Sequence, residues 1–289
     1  MPPRDADPAE GWRELTELDA ARCIAVPGPD DDKYSRGVLG MLTGSPEYPG
    51  AAVLGVEAAT RTGVGMVRYL AEERPTDFVL RARPEVVTSD GRVQAWLAGS
   101  GTDASSRSPE AAAKLDEAIR SGLPLVLDAG ALDRVDDVTG LCILTPHAGE
   151  LQRLLEAHGE RVDRTAITTE PRRWALAAAR LTGCTVLLKG FVTHICSAEG
   201  DRLTVTSTTS WTATAGAGDV LAGALGALVA TNAARIAGDP DALVSLAATG
   251  ALLHARAAAL ASGGGPIVAL DIAQRLPAVV AELSSGRPA

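Results

Sequence analysis

The feature that most constrains this chain is the alternation of short apolar runs with longer helical patterns. Val38–Thr43, Met66–Leu70, Ala95–Ala98, Leu125–Leu127, Cys142–Leu144 and Thr185–Leu188 read as strands, while Gly50–Arg61, Glu110–Arg120, Gly149–Ala157 and Arg172–Leu181 read as helices. A strand that is apolar at nearly every position needs cover on both faces, and helical crossovers supply it. The pattern therefore predicts an α/β fold: a three-layer sandwich with a mostly parallel central sheet and helices on both sides. Thr193–Cys196 and Leu203–Thr206, separated by Ser-Ala-Glu-Gly-Asp, read as a hairpin that adds an antiparallel edge. Helices near Asp219–Thr231, Asp241–Leu260 and Asp271–Leu283 close the chain. With 289 residues, 46% of them apolar, the chain has enough for one large core. We expect a single domain over residues 21–289 behind a polar tail over residues 1–20. The start of that tail, Met1–Gly11, lacks the positive-then-apolar order of a signal peptide.

Charge narrows the partners. A formal net charge of −9 with no basic run argues against nucleic acid or an anionic membrane, which leaves small molecules. Cys23, Cys142, Cys184 and Cys196 show no C-x-x-C spacing, so reduced thiols in a cytoplasmic protein are expected rather than zinc or a redox pair. The Ala-rich runs Val220–Ala230 and Val244–Ala261 read as buried helices.

In an open parallel sheet the ligand crevice lies beyond the carboxyl ends of the strands. Gly44-Ser45, Gly99-Ser100-Gly101, Asp128-Ala129-Gly130, Thr145-Pro146-His147 and Lys189-Gly190 all follow predicted strands. Each alone is an ordinary turn; together they bring His147 and Lys189 onto the rim that receives Thr212–Gly223. That last segment packs small residues against one carboxylate where an apolar helix begins. Gly216 and Gly218 let the backbone approach an anion, and free N–H groups of a helix start point toward it. Asp219 would repel such an anion unless it takes a proton from a hydroxyl that attacks phosphorus. No G-x-x-x-x-G-K-[ST] occurs in the chain. Only three lysines occur, and Lys33 and Lys189 each lie beside a glycine-containing turn. Lys33 stays ambiguous, and Asp128 either meets Mg²⁺ through water or ends its strand. His254, with no second ligand in helical register, reads as a packed core histidine.

From about Asp32 onward the chain resembles the ADP-dependent NAD(P)H-hydrate dehydratases of the ribokinase-like fold. Asp32-Lys33-Tyr34-Ser35-Arg36-Gly37 resembles their H-K-G-x-Y-G, and Gly44-Ser45 followed by Pro49-Gly50-Ala51-Ala52 resembles G-S then P-G-A-A. Thr145–Glu150 resembles T-P-H-P-G-E, Lys189-Gly190 with Thr193 resembles K-G-x-x-T, and Ala213–Gly223 resembles A-T-G-G-T-G-D-V-L-A-G. Ala148, Ala215 and Ala217 depart from Pro, Gly and Thr or Ser; Asp32 stands where His is common, and Gly130 where Asp is.

The resemblance implies a lyase that restores NADH or NADPH from the hydrated forms NADHX and NADPHX, with ADP as phosphoryl donor and Mg²⁺ as cofactor. It implies substrate contacts at Ala51, Gly101, His147 and Asp219, with Asp219 catalytic. It implies nucleotide contacts at Lys189, Gly190, Phe191, Val192, Thr193, Gly216 and Gly218, with no metal ligand assigned. It further implies a homo-oligomer, in the family often a tetramer. Too few residues precede the motifs for a fused epimerase, so an epimerase partner is expected on a separate chain. A ribokinase-like kinase for a vitamin or sugar alcohol, and a nucleotide-binding regulatory protein without catalysis, are the alternatives.

Overall fold

The structure is a computed structural model and describes residues 11–286. In chain order its elements are β1 (Trp12–Glu14), α1 (Glu17–Ala21), β2 (Val38–Leu42), α2 (Pro49–Thr62), β3 (Met66–Tyr69), α3 (Glu73–Ala82), β4 (Ala95–Ala98), α4 (Pro109–Arg120), β5 (Leu125–Leu127) and β6 (Cys142–Leu144). They continue as α5 (Ala148–Ala157), α6 (Arg164–Thr169), α7 (Pro171–Thr182), β7 (Thr185–Leu188), β8 (Val192–Cys196), β9 (Arg202–Thr206), α8 (Ala217–Thr231), α9 (Ala233–Gly238), α10 (Ala242–Ser262) and α11 (Ala269–Ser285). The strands form one sheet in the order β1-β9-β8-β7-β6-β5-β4-β2-β3. Pairing is parallel from β3 through to β7, and β8 runs antiparallel to both its neighbours.

Strand alternation divides the core in two. Leu39, Leu97, Val126, Ile143 and Leu187 face one layer, packed with α2, α8, α10 and α11. Val38, Trp96, Leu125, Leu127, Leu144 and Val186 face the other, packed with α4, α5 and α7. Both faces are therefore apolar, which is why these strands read as unbroken hydrophobic runs. The predicted three-layer α/β sandwich is present.

The tail expected over residues 1–20 ends earlier. β1 pairs in parallel with β9, Trp12 opposite Arg202, and α1 is capped by Thr16, whose side chain accepts from the Asp19 N–H at 3.1 Å. Ala20 and Ala21 of α1 are buried. A nearby sheet edge with free backbone groups captures this polar stretch, a long-range pairing that local composition does not encode. Met1–Glu10 lie outside the described residues. The two Ala-rich segments are α8 and α10. α10 has the length and apolarity of a membrane span, but two-thirds of its apolar window is buried within the protein.

Candidate active site

The sheet reverses its winding between β2, which continues to β3 on one side, and β4 on the other. At such a switch point the loops after the two strands part and leave a crevice. Gly44 and Gly101 face each other across it: a Cβ on Gly101 would fall 2.2 Å from the Ala51 Cβ and 3.2 Å from the Gly44 Cα. Gly101 also holds φ at +67°, a conformation glycine adopts without strain. Ala51, in the first turn of α2, and Gly101 are thus brought together at the crevice.

Helix α8 enters the same crevice. Its N-cap, Gly216, holds φ at +87°, and a side chain there would meet Leu54 Cδ1 at 2.4 Å. About two turns in, a Cβ on Gly223 would lie 2.1 Å from the Gly55 carbonyl oxygen, so α8 rests directly on α2. Ala51 precedes Gly55 by four residues, and Asp219 precedes Gly223 by four. The Asp219 carbonyl oxygen lies 3.6 Å from where a Gly55 Cβ would be, one turn along α2 from Ala51. The Ala217 N–H bonds to the Thr214 carbonyl, while the N–H groups of Gly218 and Asp219 have no backbone acceptor among the described residues. Two donors and the positive end of a 15-residue helix are left facing the crevice.

The Asp219 carboxylate accepts a hydrogen bond from the buried hydroxyl of Ser100. Burial holds its pKa above the usual aspartate value; the Ser100 bond opposes the rise, the Asp128 charge adds to it and Lys189 offsets part of it. A carboxylate so placed is a stronger proton acceptor than a solvated one. Sequence reasoning placed Gly99-Ser100-Gly101 on the rim but gave Ser100 no role, because a hydroxyl between two glycines carries no periodic signal.

Beyond β5 to β7 the rim is held by charge. Asp128, buried at the end of β5, accepts from Thr145 Oγ1 at 2.7 Å and from Lys189 Nζ at 2.8 Å. Lys189 also lies 3.6 Å from Glu150. Burial opposes its charge, but Asp128 and Glu150 outweigh that and raise its pKa above the usual lysine value. A solvated turn lysine, the simplest sequence reading, is therefore not what the fold presents. Ala129, the one described non-glycine residue at positive φ (43°), carries backbone strain right at this corner.

His147 caps α5. Its Nδ1 accepts from the N–H groups of Gly149 and Glu150 at 3.0 and 3.2 Å, and the Glu150 carboxylate accepts from the His147 N–H at 2.7 Å. An accepting Nδ1 in a neutral ring places the proton on Nε2. Burial lowers the ring's pKa, with Lys189 and Arg153 adding to the drop and Glu150 and Asp128 opposing it. His147 thus acts as a cap and leaves Nε2–H, on a half-exposed ring, as a donor. The H-x-x-E spacing in the sequence already carried that capping signal.

A cavity of about 480 Å³ opens on the other side of Lys189. Lys189, Gly190, Phe191, Thr193 and Gly218 line it, together with Ala213. Val192 and Gly216 do not line it. Gly216 instead makes the turn into α8, and Lys189 Nζ stands 3.9 Å from where a Gly218 Cβ would be. His254 is buried, as expected, and also borders this cavity. It sits on α10 against this cavity, its Nε2 buried with no partner in the structure, and burial holds its pKa down to about 4, with the Lys189 charge adding to that and a bond to the Ala217 backbone opposing it. Helical register alone could not reveal that its neighbours come from α8 and β7. Lys33 lies in the exposed turn before β2, at the amino ends of the strands, with Nζ 5.3 Å from the Tyr34 ring centre. It takes no part in the crevice. Among the described residues all four cysteines are free and buried, and no three histidine, cysteine or acidic side chains cluster as a metal cage.

An open parallel sheet with its crevice at the strand carboxyl ends, entered by a Gly-capped helix bearing a buried carboxylate, defines a ribokinase-like protein. A solved ribokinase-like superfamily protein from Enterococcus faecalis superposes with a TM-score of 0.77 at 21% identity, over 95% of this chain and 97% of that one. The sequence model of the NAD(P)H-hydrate dehydratases matches residues 39–275, and the chain belongs to that family. It is similar to a bifunctional NAD(P)H-hydrate repair enzyme from Corynebacterium glutamicum, 36% identical over 90% of this chain and 50% of the relative. It is also similar to an ADP-dependent (S)-NAD(P)H-hydrate dehydratase from Xanthomonas campestris pv. campestris, 30% identical over 92% of this chain and 96% of the relative. An ADP/ATP-dependent NAD(P)H-hydrate dehydratase from Bacillus subtilis, crystallised with ATP and Mg²⁺, shares the fold with a TM-score of 0.81 at 23% identity, over 95% of this chain and all of that one. The chain spans about half the length of the bifunctional relatives it matches.

Proposed function

We propose that this protein carries out the ADP-dependent dehydration of (S)-NADHX and (S)-NADPHX to NADH and NADPH, releasing AMP and phosphate. The observation that carries the reading is Asp219: a half-buried carboxylate, hydrogen-bonded to Ser100, on the helix turn whose free N–H groups face the crevice. Asp219 accepts the proton of the substrate C6 hydroxyl as its oxygen bonds to the β-phosphorus of ADP and the bond from that phosphorus to the AMP oxygen breaks. The Gly218 and Asp219 N–H groups stabilise the equatorial oxygens of the transferring group. Hydroxide leaves poorly and phosphate leaves well. The ring nitrogen lone pair then expels phosphate from C6, and loss of a C5 proton restores the dihydropyridine.

Ala51, Gly101 and the Nε2–H of His147 seat the hydrated ring and its amide. Lys189 to Thr193, with Gly218, seat the adenine nucleotide along the cavity beyond Lys189. The absence of a three-ligand cage among the described residues suits Mg²⁺, an ion commonly carried on substrate phosphates with one or two protein carboxylates. Asp128 and Glu150 are the residues that would hold it, and the ion supplies charge neutralisation of the phosphates when bound. A cytoplasmic setting, self-association into an oligomer and a separate epimerase for the other substrate epimer belong to the same proposal. The bifunctional names of two relatives support a coupled second activity.

The test is to incubate the purified protein with hydrated NADH, Mg²⁺ and either ADP or ATP, and to follow the absorbance of the reduced nicotinamide ring. Nucleotide-dependent recovery supports the reading, and the faster nucleotide identifies the donor. No recovery with either, from folded protein that binds nucleotide, moves the assignment to a kinase for another hydroxylated substrate.

A further inference from the structure

A second large cavity, about 690 Å³, lies on the side of the crevice away from the Lys189 cavity. Its walls come from Tyr48 before α2, the 102–105 turn after β4, the 129–136 stretch after β5, and α5. The two cavities meet at one ion pair: Glu150 lines this one, Lys189 lines the other, and their charged atoms are 3.6 Å apart. Each is large enough for a nucleotide, since small-molecule sites commonly enclose roughly 300–1,000 Å³.

The charges on its walls are mostly committed. Asp133 is paired with Arg107 at 2.6 Å, Asp136 with His158 at 2.8 Å, and Asp103 accepts from its own turn at Ser105. Arg153 is different. It projects from α5 into this cavity as an exposed cation that makes no ion pair among the described residues, near enough to both His147 and Asp103 to shift their ionisation. An unpaired guanidinium beside the ring-binding histidine suits a phosphate, which it can clamp through two N–H groups. The ring of Tyr48, 60% exposed at the mouth, offers a face for a base or ribose.

We propose that this cavity holds the remote half of the dinucleotide substrate, its adenosine monophosphate moiety, with Arg153 as the cation that contacts the phosphate of that moiety. The inference rests on the dehydratase reading and adds the direction in which the substrate lies. With the reacting ring at Asp219 and the phosphoryl donor beyond Lys189, the rest of the dinucleotide extends past His147 toward Arg153. Arg153 takes no part in the chemical step, so its contribution is to affinity.

Steady-state kinetics with hydrated NADH and with hydrated reduced nicotinamide mononucleotide, which lacks the remote half, tests this on the wild type, Arg153→Ala and Arg153→Lys. The wild type is expected to show a KM for the half-substrate at least about tenfold higher, the scale of one lost charge-assisted hydrogen bond. Arg153→Ala is expected to raise KM for hydrated NADH by about tenfold with kcat within about twofold, with Arg153→Lys between the two. KM for the half-substrate and for ADP should stay unchanged. Equal KM values for the two substrates in the wild type, or an Arg153→Ala effect equal on both, overturns the subsite. No turnover of hydrated NADH by the wild type overturns the dehydratase reading itself.

Discussion

The Ser100 hydroxyl donates its hydrogen to Asp219 Oδ1, tying the loop after β4 to the first turn of α8. The bond joins residues 119 positions apart, between a switch-point loop and a helix start, and orients the carboxylate toward the crevice. A donor to the charged form of an acid lowers its pKa. Ser100→Ala removes that donor, so the Asp219 pKa rises above its already elevated value. As the proposed base, Asp219 must be ionised to act, so activity should be lost as pH falls through this pKa. The acid limb of the profile of kcat/KM against pH should therefore move to higher pH in the variant, with the alkaline side unchanged. A fall in rate by the same factor at every pH would show that Ser100 positions the loop without tuning the base.

Asp219→Asn separates chemistry from folding. A positioned base commonly contributes ~10²–10⁴ in rate, so turnover should drop by at least about 100-fold while nucleotide affinity stays within a few-fold. The variant should also melt at a higher temperature near neutral pH. A carboxyl whose folded pKa is raised contributes stability below its unfolded pKa and loses it as pH rises through the folded value. At neutral pH the ionised group is therefore a cost that the amide avoids, while the Asn oxygen still accepts from Ser100. Retention of more than a tenth of wild-type turnover would count against Asp219 as the base.

Gly101→Ala tests the cradle. Left-handed backbone costs a non-glycine residue about 1–2 kcal/mol, and the new methyl would overlap the Ala51 Cβ at 2.2 Å. The expected result is a lower Tm and a raised KM for the hydrated dinucleotide. Adding Ala51→Gly removes the overlap but not the strain, so the double variant should recover part of the lost stability. Coupling between touching residues commonly reaches about 0.5–3 kcal/mol. A double variant no more stable than Gly101→Ala would show that the two do not touch in solution.

Much of this architecture was legible in the sequence, because each parallel strand is buried on both faces. Ala95–Ala98, Leu125–Leu127, Cys142–Leu144 and Thr185–Leu188 fall at the expected bounds, and β2 and β3 each end one residue sooner than read. Missed elements carry little local signal. α3 buries only Pro75 and Val79, α6 and α9 have six residues each, and β1 exists through a pairing with β9 some 190 positions away. The site divides in the same way. Asp219, His147 and Lys189 announce themselves by following strand ends or opening helices. Ser100, His254 and Arg153 depend on partners or cavities that only the folded sheet brings together.

Lys189 pairs with Asp128 and also lines the cavity proposed for the nucleotide, and two variants pull these two parts apart. Lys189→Met leaves the Asp128 carboxylate, with a side chain only 5% exposed, without its cation. Breaking a buried pair from one side commonly costs ~3–5 kcal/mol. The fifth of the Lys189 side chain still open to water places the expected loss at the low end. Replacing Asp128 with Asn in the same chain removes the stranded charge while keeping an acceptor for the Thr145 hydroxyl, so Lys189→Met/Asp128→Asn should regain most of the lost stability. Nucleotide affinity should not follow. The ammonium faces the cavity beside Gly218, and neither variant supplies a cation there. Calorimetric titration with ADP in the absence of Mg²⁺, which Asp128 would hold, should show at least about tenfold weaker binding in both, the scale of one charge-assisted hydrogen bond. If affinity returns together with the Tm in the double variant, Lys189 serves the fold alone, and the phosphates must be held by the α8 N–H groups without it.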